Sequence, residues 1–119
     1  MSIFNLMVEH LSIPQVGRVF HALSHDARRQ MLAQLAGGES TVSDLAEPHS
    51  MSLAAASKHV KVLEDAGLLR RRIVGRQHLC TLDARPLAVA GEWLRFYEAF
   101  WPARLDALAD IVESKKESK

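Results

Sequence analysis

A chain of 119 residues is long enough to bury a hydrophobic core, so neither disulfides nor a structural metal is needed to hold it together. Apolar residues make up 48% and charged residues 24%, and the net charge is only +1, so any attraction to nucleic acid must come from where the charges sit. The one cysteine, Cys80, excludes an intrachain disulfide and a cysteine-based zinc site, and no apolar run reaches the length of a bilayer span.

The first apolar run, IFNLMVEHLSI, lacks a basic region ahead of it and carries Asn5, Glu9 and His10. It does not read as a secretory signal, and the expected compartment is the reducing cytoplasm, with no membrane partner. Residues 3–11 are expected to form a short helix with Ile3, Met7 and Leu11 on one side. Ser12 suits an N-cap, and Pro14 is tolerated in the first turn that follows. Val16, Val19, Phe20 and Leu23 then recur at i, i+3, i+4, i+7, the signature of one buried helical face. Ser24 punctuates. A helix over about 26–36 turns Ala27, Met31, Leu32 and Leu35 inward and stops at Gly37-Gly38. Thr41 with Asp44 resembles a capping box for a short third helix, anchored by Leu45 and closed by Pro48.

Ser52 is the expected N-cap of a fourth helix, residues 52–66, with Leu53, Ala56, Val60 and Leu63 as its inward stripe and Gly67 just past its end. Leu69–Ile73 and about Gln77–Leu82 read as strands of a hairpin around Val74-Gly75-Arg76. Asp83 caps a long helical region starting near Arg85, with Pro86 in its first turn. Pro102 is expected to kink or divide that helix near Phe100–Pro102. The polar tail SKKESK, residues 114–119, is expected to be disordered.

This order describes a mainly α chain with a small β-hairpin: a winged helix–turn–helix. Residues 12–83 would form its core, with the wing at about 69–82, and residues 1–11 and 84–113 would supply flanking dimerisation helices. In such a fold the second helix of the pair enters the major groove of duplex DNA. Placing the apolar stripe inward, at about 100° per residue, leaves Ala54, Ala55, Lys58 and Lys61 outward and Ser57 and His59 on the flanks. Lys58 reaches guanine O6/N7 or a phosphate, and the methyls of Ala54 and Ala55 suit thymine methyls. From Lys58 to Arg76 six cations (Lys58, Lys61, Arg70, Arg71, Arg72, Arg76) face only Glu64 and Asp65. Three arginines in one strand are equally what a solvated edge looks like. Alternation puts Arg71 with Leu69 and Ile73, its stem against the body, and leaves Arg70 and Arg72 freer, while Arg76 at the tip is best placed for a phosphate or the minor groove. The candidate DNA-contacting set is therefore Ser52, Ala54, Ala55, Ser57, Lys58, His59, Lys61, Arg70, Arg72 and Arg76. His78 serves either a contact when protonated or a structural hydrogen bond.

The segments FHALSHDARRQMLAQL (20–35), TVSDLAEPHSMS (41–52), SKHVKVLEDAGLLRRR (57–72) and GRQHLCTLD (75–83) resemble the ArsR/SmtB family of winged-helix repressors. The tail WLRFYEAFWPARLDAL (93–108) is similar to a subgroup ending in an aromatic-rich helix. The resemblance implies a homodimeric repressor that binds a palindromic operator and releases it on a signal. Many members carry Gln near position 53 and Thr near 55, where this chain has Leu53 and Ala55. The family's metal sites use a Cys-x-Cys pair in the third helix, or Asp, His and Glu along the last helix. Here TVSDLAE has no cysteine and residues 85–118 have no histidine, so neither site forms that way and no metal or cofactor is expected.

His21 and His25 have i, i+4 spacing, but Ser24 is expected to break the helix between them. Cys80 is expected to be buried and lacks a resolving thiol. Ser24-His25-Asp26 has the letters of a hydrolase triad, yet consecutive helical residues diverge by about 100° and cannot align as one. No other catalytic arrangement appears at usable spacing. Five of the seven aromatic residues fall at Trp93, Phe96, Tyr97, Phe100 and Trp101, more aromatic surface than a small winged helix can enclose. Their expected burial is against a second copy, with Phe4, Met7, Leu11 and Phe20. Two readings of that cluster stay open: a dimer core alone, or a core that also encloses a small-molecule effector. Two functions also stay open: a sequence-specific DNA-binding regulator, or a protein-interaction module whose basic stripe meets an acidic partner.

Overall fold

The computed structural model describes residues 13–101, 108 and 110–112. The expected helix over 3–11 with Phe4, Met7 and Leu11, the Ser12 cap and the tail 114–119 lie outside the described residues. Helix α1, Ile13–Leu23, buries Val16, Val19 and Ala22. It stops where the Ser24 backbone N–H and Oγ both donate to the His21 carbonyl, at 3.1 and 2.6 Å. Helix α2, Asp26–Ala36, starts on an unexpected cap: His25 Nδ1 accepts the Ala27 N–H at 3.2 Å. Its inward face is Ala27, Met31, Leu32 and Leu35, joined by buried Arg28.

Strand β1, Ser40–Thr41, was invisible to periodicity because it has two residues. It pairs antiparallel with Cys80 and Leu79, so the sheet has three strands rather than a hairpin's two. Helix α3, Val42–Ala46, is capped by Thr41 Oγ1, which accepts the Asp44 N–H at 3.1 Å. Pro48 does not close it. The chain tightens into a 3-10 turn, Glu47–His49, and stops at Ser50, whose φ of 51° is left-handed. A proline near the start of a turn loses no hydrogen bond, because the N–H there has no partner inside the turn.

Helix α4, Leu53–Asp65, begins at Ser52, whose Oγ accepts the Ala55 N–H at 3.1 Å. Ser52→Ala leaves that N–H to water and is expected to cost about 1 kcal/mol in chemical denaturation. Ala56, Val60 and Leu63 are buried as expected, but Leu53 is 56% exposed. The stripe is one residue too long, because Leu53 sits at the first helical position, past the edge of the core. The C-terminus is a Schellman motif: Leu68 N–H donates to the Leu63 carbonyl and Gly67 N–H to that of Glu64, with Gly67 at φ 78°. Strands β2, Leu69–Val74, and β3, Gln77–Leu82, follow, turned by Gly75 at φ 62° and Arg76. The Asp83 carboxylate then accepts the Arg85 N–H at 3.1 Å and starts helix α5, Arg85–Phe96. A 3-10 turn, Tyr97–Phe100, leads to an extended Trp101, the conformation imposed on a residue before proline.

Met31, Leu45, Leu63, Leu68, Leu69, Val19, Val60 and Cys80 are fully buried in one core. That core closes around the inner faces of α1, α2, α3 and α4 and the inner ends of β2 and β3. The outer wing stands clear of it, with Ile73 and Val74 exposed.

Candidate nucleic-acid interface

Three elements border one open cleft of about 470 Å3: the start of α3, the first turns of α4 and the wing. Leu53, Ser57, Arg71, Arg76 and His78 line it, opposite Thr41 and Asp44. Along α4, Ser52, Ala54, Lys58 and Lys61 are exposed, while Ala55, Ser57 and His59 are half-buried on the flanks. Ala55, expected outward, is thus partly covered, while Ser52, Ala54, Lys58 and Lys61 are exposed as expected, beside the hairpin that carries Arg70, Arg72 and Arg76.

The electrostatics differ from a count of nearby charges. Arg70 Nε donates to Asp83 at 3.1 Å, Arg71 Nη2 to Glu64 at 3.3 Å, and Arg72 forks onto Glu39 at 3.1–3.3 Å. Lys61 meets Asp65 at 3.0 Å. Arg70 and Arg72, expected to be the freer pair, therefore each hold a carboxylate, though their side chains stay 66% and 64% exposed. Pairs whose cation stays this exposed contribute little stability, but the Asp83 carboxylate is itself only 11% exposed and also holds Arg85, so Arg72 is the more readily exchanged of the two. Arg71 is the structural one, as its strand alternation predicts: its side chain is largely covered and its Nη1 meets His78 Nδ1 at 3.4 Å. Of the six cations, Lys58 and Arg76 alone have no carboxylate partner among the described residues. Asp83 accepts from both Arg70 and Arg85, and the Arg85 hydrogen bonds hold its carboxyl well below the usual carboxylate range.

Beneath the helix lies a contact that sequence reasoning missed. Arg28, almost fully buried, donates Nε to the Ala22 carbonyl at 2.8 Å, Nη2 to the His21 carbonyl at 3.1 Å and Nη1 to His59 Nδ1 at 3.2 Å. One guanidinium thus ties the end of α1, the start of α2 and the middle of α4. The His59 ring also lies 4.5 Å from that of His25. Burial, then His25, Arg28 and His49, all lower the His59 pKa from its ordinary 6.5. A base with a depressed folded pKa contributes stability that is present above the unfolded pKa and is lost as pH falls from there through the folded pKa. The melting temperature is therefore expected to drop as pH falls below the ordinary histidine range of about 6.5. His59→Gln keeps an acceptor without the titration, and should flatten part of that drop; an unchanged profile would show that His59 is not the titrating group.

Phe20 and Trp93 pack edge to face at 5.6 Å, and Trp93, Tyr97, Phe96 and Phe100 continue as a chain of rings 4.9–6.5 Å apart. Its outer end is bare: Phe100 is 70% exposed, and Trp101 next to it in the chain is 55% exposed. Cys80 is buried, and burial pushes its thiol pKa up, away from reactivity. Among the described residues no three metal-ligating side chains stand together, and no helix is long and apolar enough to cross a membrane.

Residues 23–72, which span the helix–turn–helix and the first half of the wing, match the model of a helix–turn–helix domain family. The chain is 33% identical to the HTH-type transcriptional regulator Rv2034 of Mycobacterium tuberculosis over 82% of its own length and 89% of the relative's. The crystal structure of ArsR family transcriptional regulator RHA00566 is 34% identical and superposes with a TM-score of 0.72, over 76% of this chain and 94% of that one. The chain belongs to the ArsR family of transcriptional regulators. A third relative is Mb0332 of Mycobacterium bovis, a possible ArsR-family regulator solved in solution as a homodimeric winged helix–turn–helix DNA-binding domain. It is 30% identical at a TM-score of 0.58, over 92% of this chain and 87% of that fragment. In this ArsR-family chain α3 and α4 are the helix–turn–helix pair and β2–β3 is the wing.

Proposed function

We propose that the chain is a cytoplasmic homodimeric repressor that lays α4 into successive major grooves of a palindromic operator. Lys58 and Arg76 anchor phosphates, supported by Lys61, Arg70 and Arg72 as their carboxylates are exchanged. Ser52, Ala54, Ala55 and Ser57 face the bases, and His59, expected from the sequence to join them, is instead turned toward Arg28 and His25. The two copies pair through Phe20, Trp93, Phe96, Tyr97, Phe100 and Trp101, joined by Phe4, Met7 and Leu11. The observation that carries this reading is the exposed face of α4 beside a wing tip, with Lys58 and Arg76 unmatched by carboxylates among the described residues. Homodimeric Mb0332 supports the pairing, since a two-fold is what spaces two reading helices about 34–36 Å apart. A small-molecule effector is not required by this reading.

Selection from random duplex DNA, followed by gel shift with excess competitor, tests it. The expected result is a palindromic site that survives competition and is bound by two copies. No specific shift under any condition would favour the module that docks an acidic protein.

A further inference from the structure

We infer that Leu53 reads the C5-methyl group of a thymine in the operator's major groove, and so determines sequence specificity. The inference rests on the proposal that α4 enters that groove.

Leu53, at the first position of a capped, 13-residue helix, lies past the edge of the core and is 56% exposed. It stands in the cleft with Ser57 and Arg76. Helices of this class meet base edges with their N-terminal residues, which puts Leu53 nearer the bases than Lys61. What the leading turn offers there is nearly all hydrocarbon: Leu53, Ala54 and Ala55 carry no polar side-chain atom, and the Ser52 hydroxyl oxygen accepts the Ala55 N–H. The side chains of Leu53, Ala54 and Ala55 cannot pair with guanine O6/N7 or with adenine N6/N7. The thymine methyl is the one apolar feature on the major-groove edges. Against any other base, the leucine would cover a polar edge and leave it without a partner.

The test uses the full chain and its selected operator, with each thymine of the half-site replaced symmetrically by uracil, which removes only the methyl group. Wild type is expected to lose about four-fold in affinity per half-site at one position, the effect of one buried methyl. Leu53→Ala should bind the thymine and uracil versions of that position alike. Leu53→Gln, which supplies the two hydrogen bonds that adenine takes, should move the selected base there from thymine toward adenine. Being exposed, Leu53 is replaceable without loss of fold, which an unchanged unfolding midpoint would verify. The inference is overturned if wild type ignores uracil at every position. It is equally overturned if Leu53→Ala stays as sensitive as wild type, which would hand the methyl to Ala54 or Ala55. If no operator can be selected at all, the DNA-binding proposal fails and this inference fails with it.

Discussion

Arg28→Met is expected to lower the stability of the fold by roughly 2–4 kcal/mol, a large share of what a domain this size has to lose. Methionine keeps most of the stem's packing and removes all three donors. The losses are unequal. The His21 carbonyl still receives Ser24, whereas the Ala22 carbonyl loses the buried guanidinium at 2.8 Å. A buried acceptor left without this donor accounts for the greater part of the cost, since water does not reach it to compensate. His59 loses its tether at the same time, so α4 is held by Ala56, Val60 and Leu63 alone on that side. Urea denaturation would show the midpoint falling with little change in slope. Arg28→Lys, with one compact ammonium in place of a fork, should lie between the two. An unaltered midpoint in Arg28→Met would mean that burying the charge cancels what its hydrogen bonds contribute.

Arg76→Ala is expected to weaken binding to every DNA sequence by a similar factor and to leave stability unchanged, because Arg76 is exposed at the hairpin tip and holds no carboxylate. If each copy loses one phosphate contact, the slope of log affinity against log salt should shrink by about 1.8 for a dimer. Arg76→Lys should keep most of that slope. Arg72→Ala should change it less, since Glu39 already matches that charge, and Glu39→Gln should tighten binding and steepen the slope. Equal slopes for wild type and Arg76→Ala would remove Arg76 from the contact set.

The helical pattern was legible because each inward stripe repeats cleanly: Val16 and Val19, Met31 and Leu35, Val60 and Leu63 are all buried where periodicity puts them. Caps and stops were legible for the same local reason, since Thr41, Ser52 and Gly67 act on partners within five residues. What escaped was non-local. Glu39 lies 33 residues from Arg72, and Arg28 lies 31 from His59, so no window along the chain contains either pair. Asp83 was read as a cap, and its second role as the partner of Arg70 needed the hairpin to fold back. Leu53 was misplaced by extending a good stripe one residue past the core's edge. Strand β1 was too short to carry a period at all.

The carboxylates of Glu39 and Asp83 also bear on how such a protein would find its target. If Arg70 and Arg72 meet phosphates as proposed, each carboxylate occupies a wing arginine as a phosphate would, and the protein carries its own competitor for the DNA backbone. A random sequence must displace both carboxylates and offers only backbone charge in return. An operator adds base contacts that make the exchange favourable. Non-specific sites outnumber operators by a factor of about a million or more, and time lost on them limits the search. By weakening every encounter alike, the two ion pairs would shorten those pauses while leaving the ratio between a passing sequence and the right one unchanged.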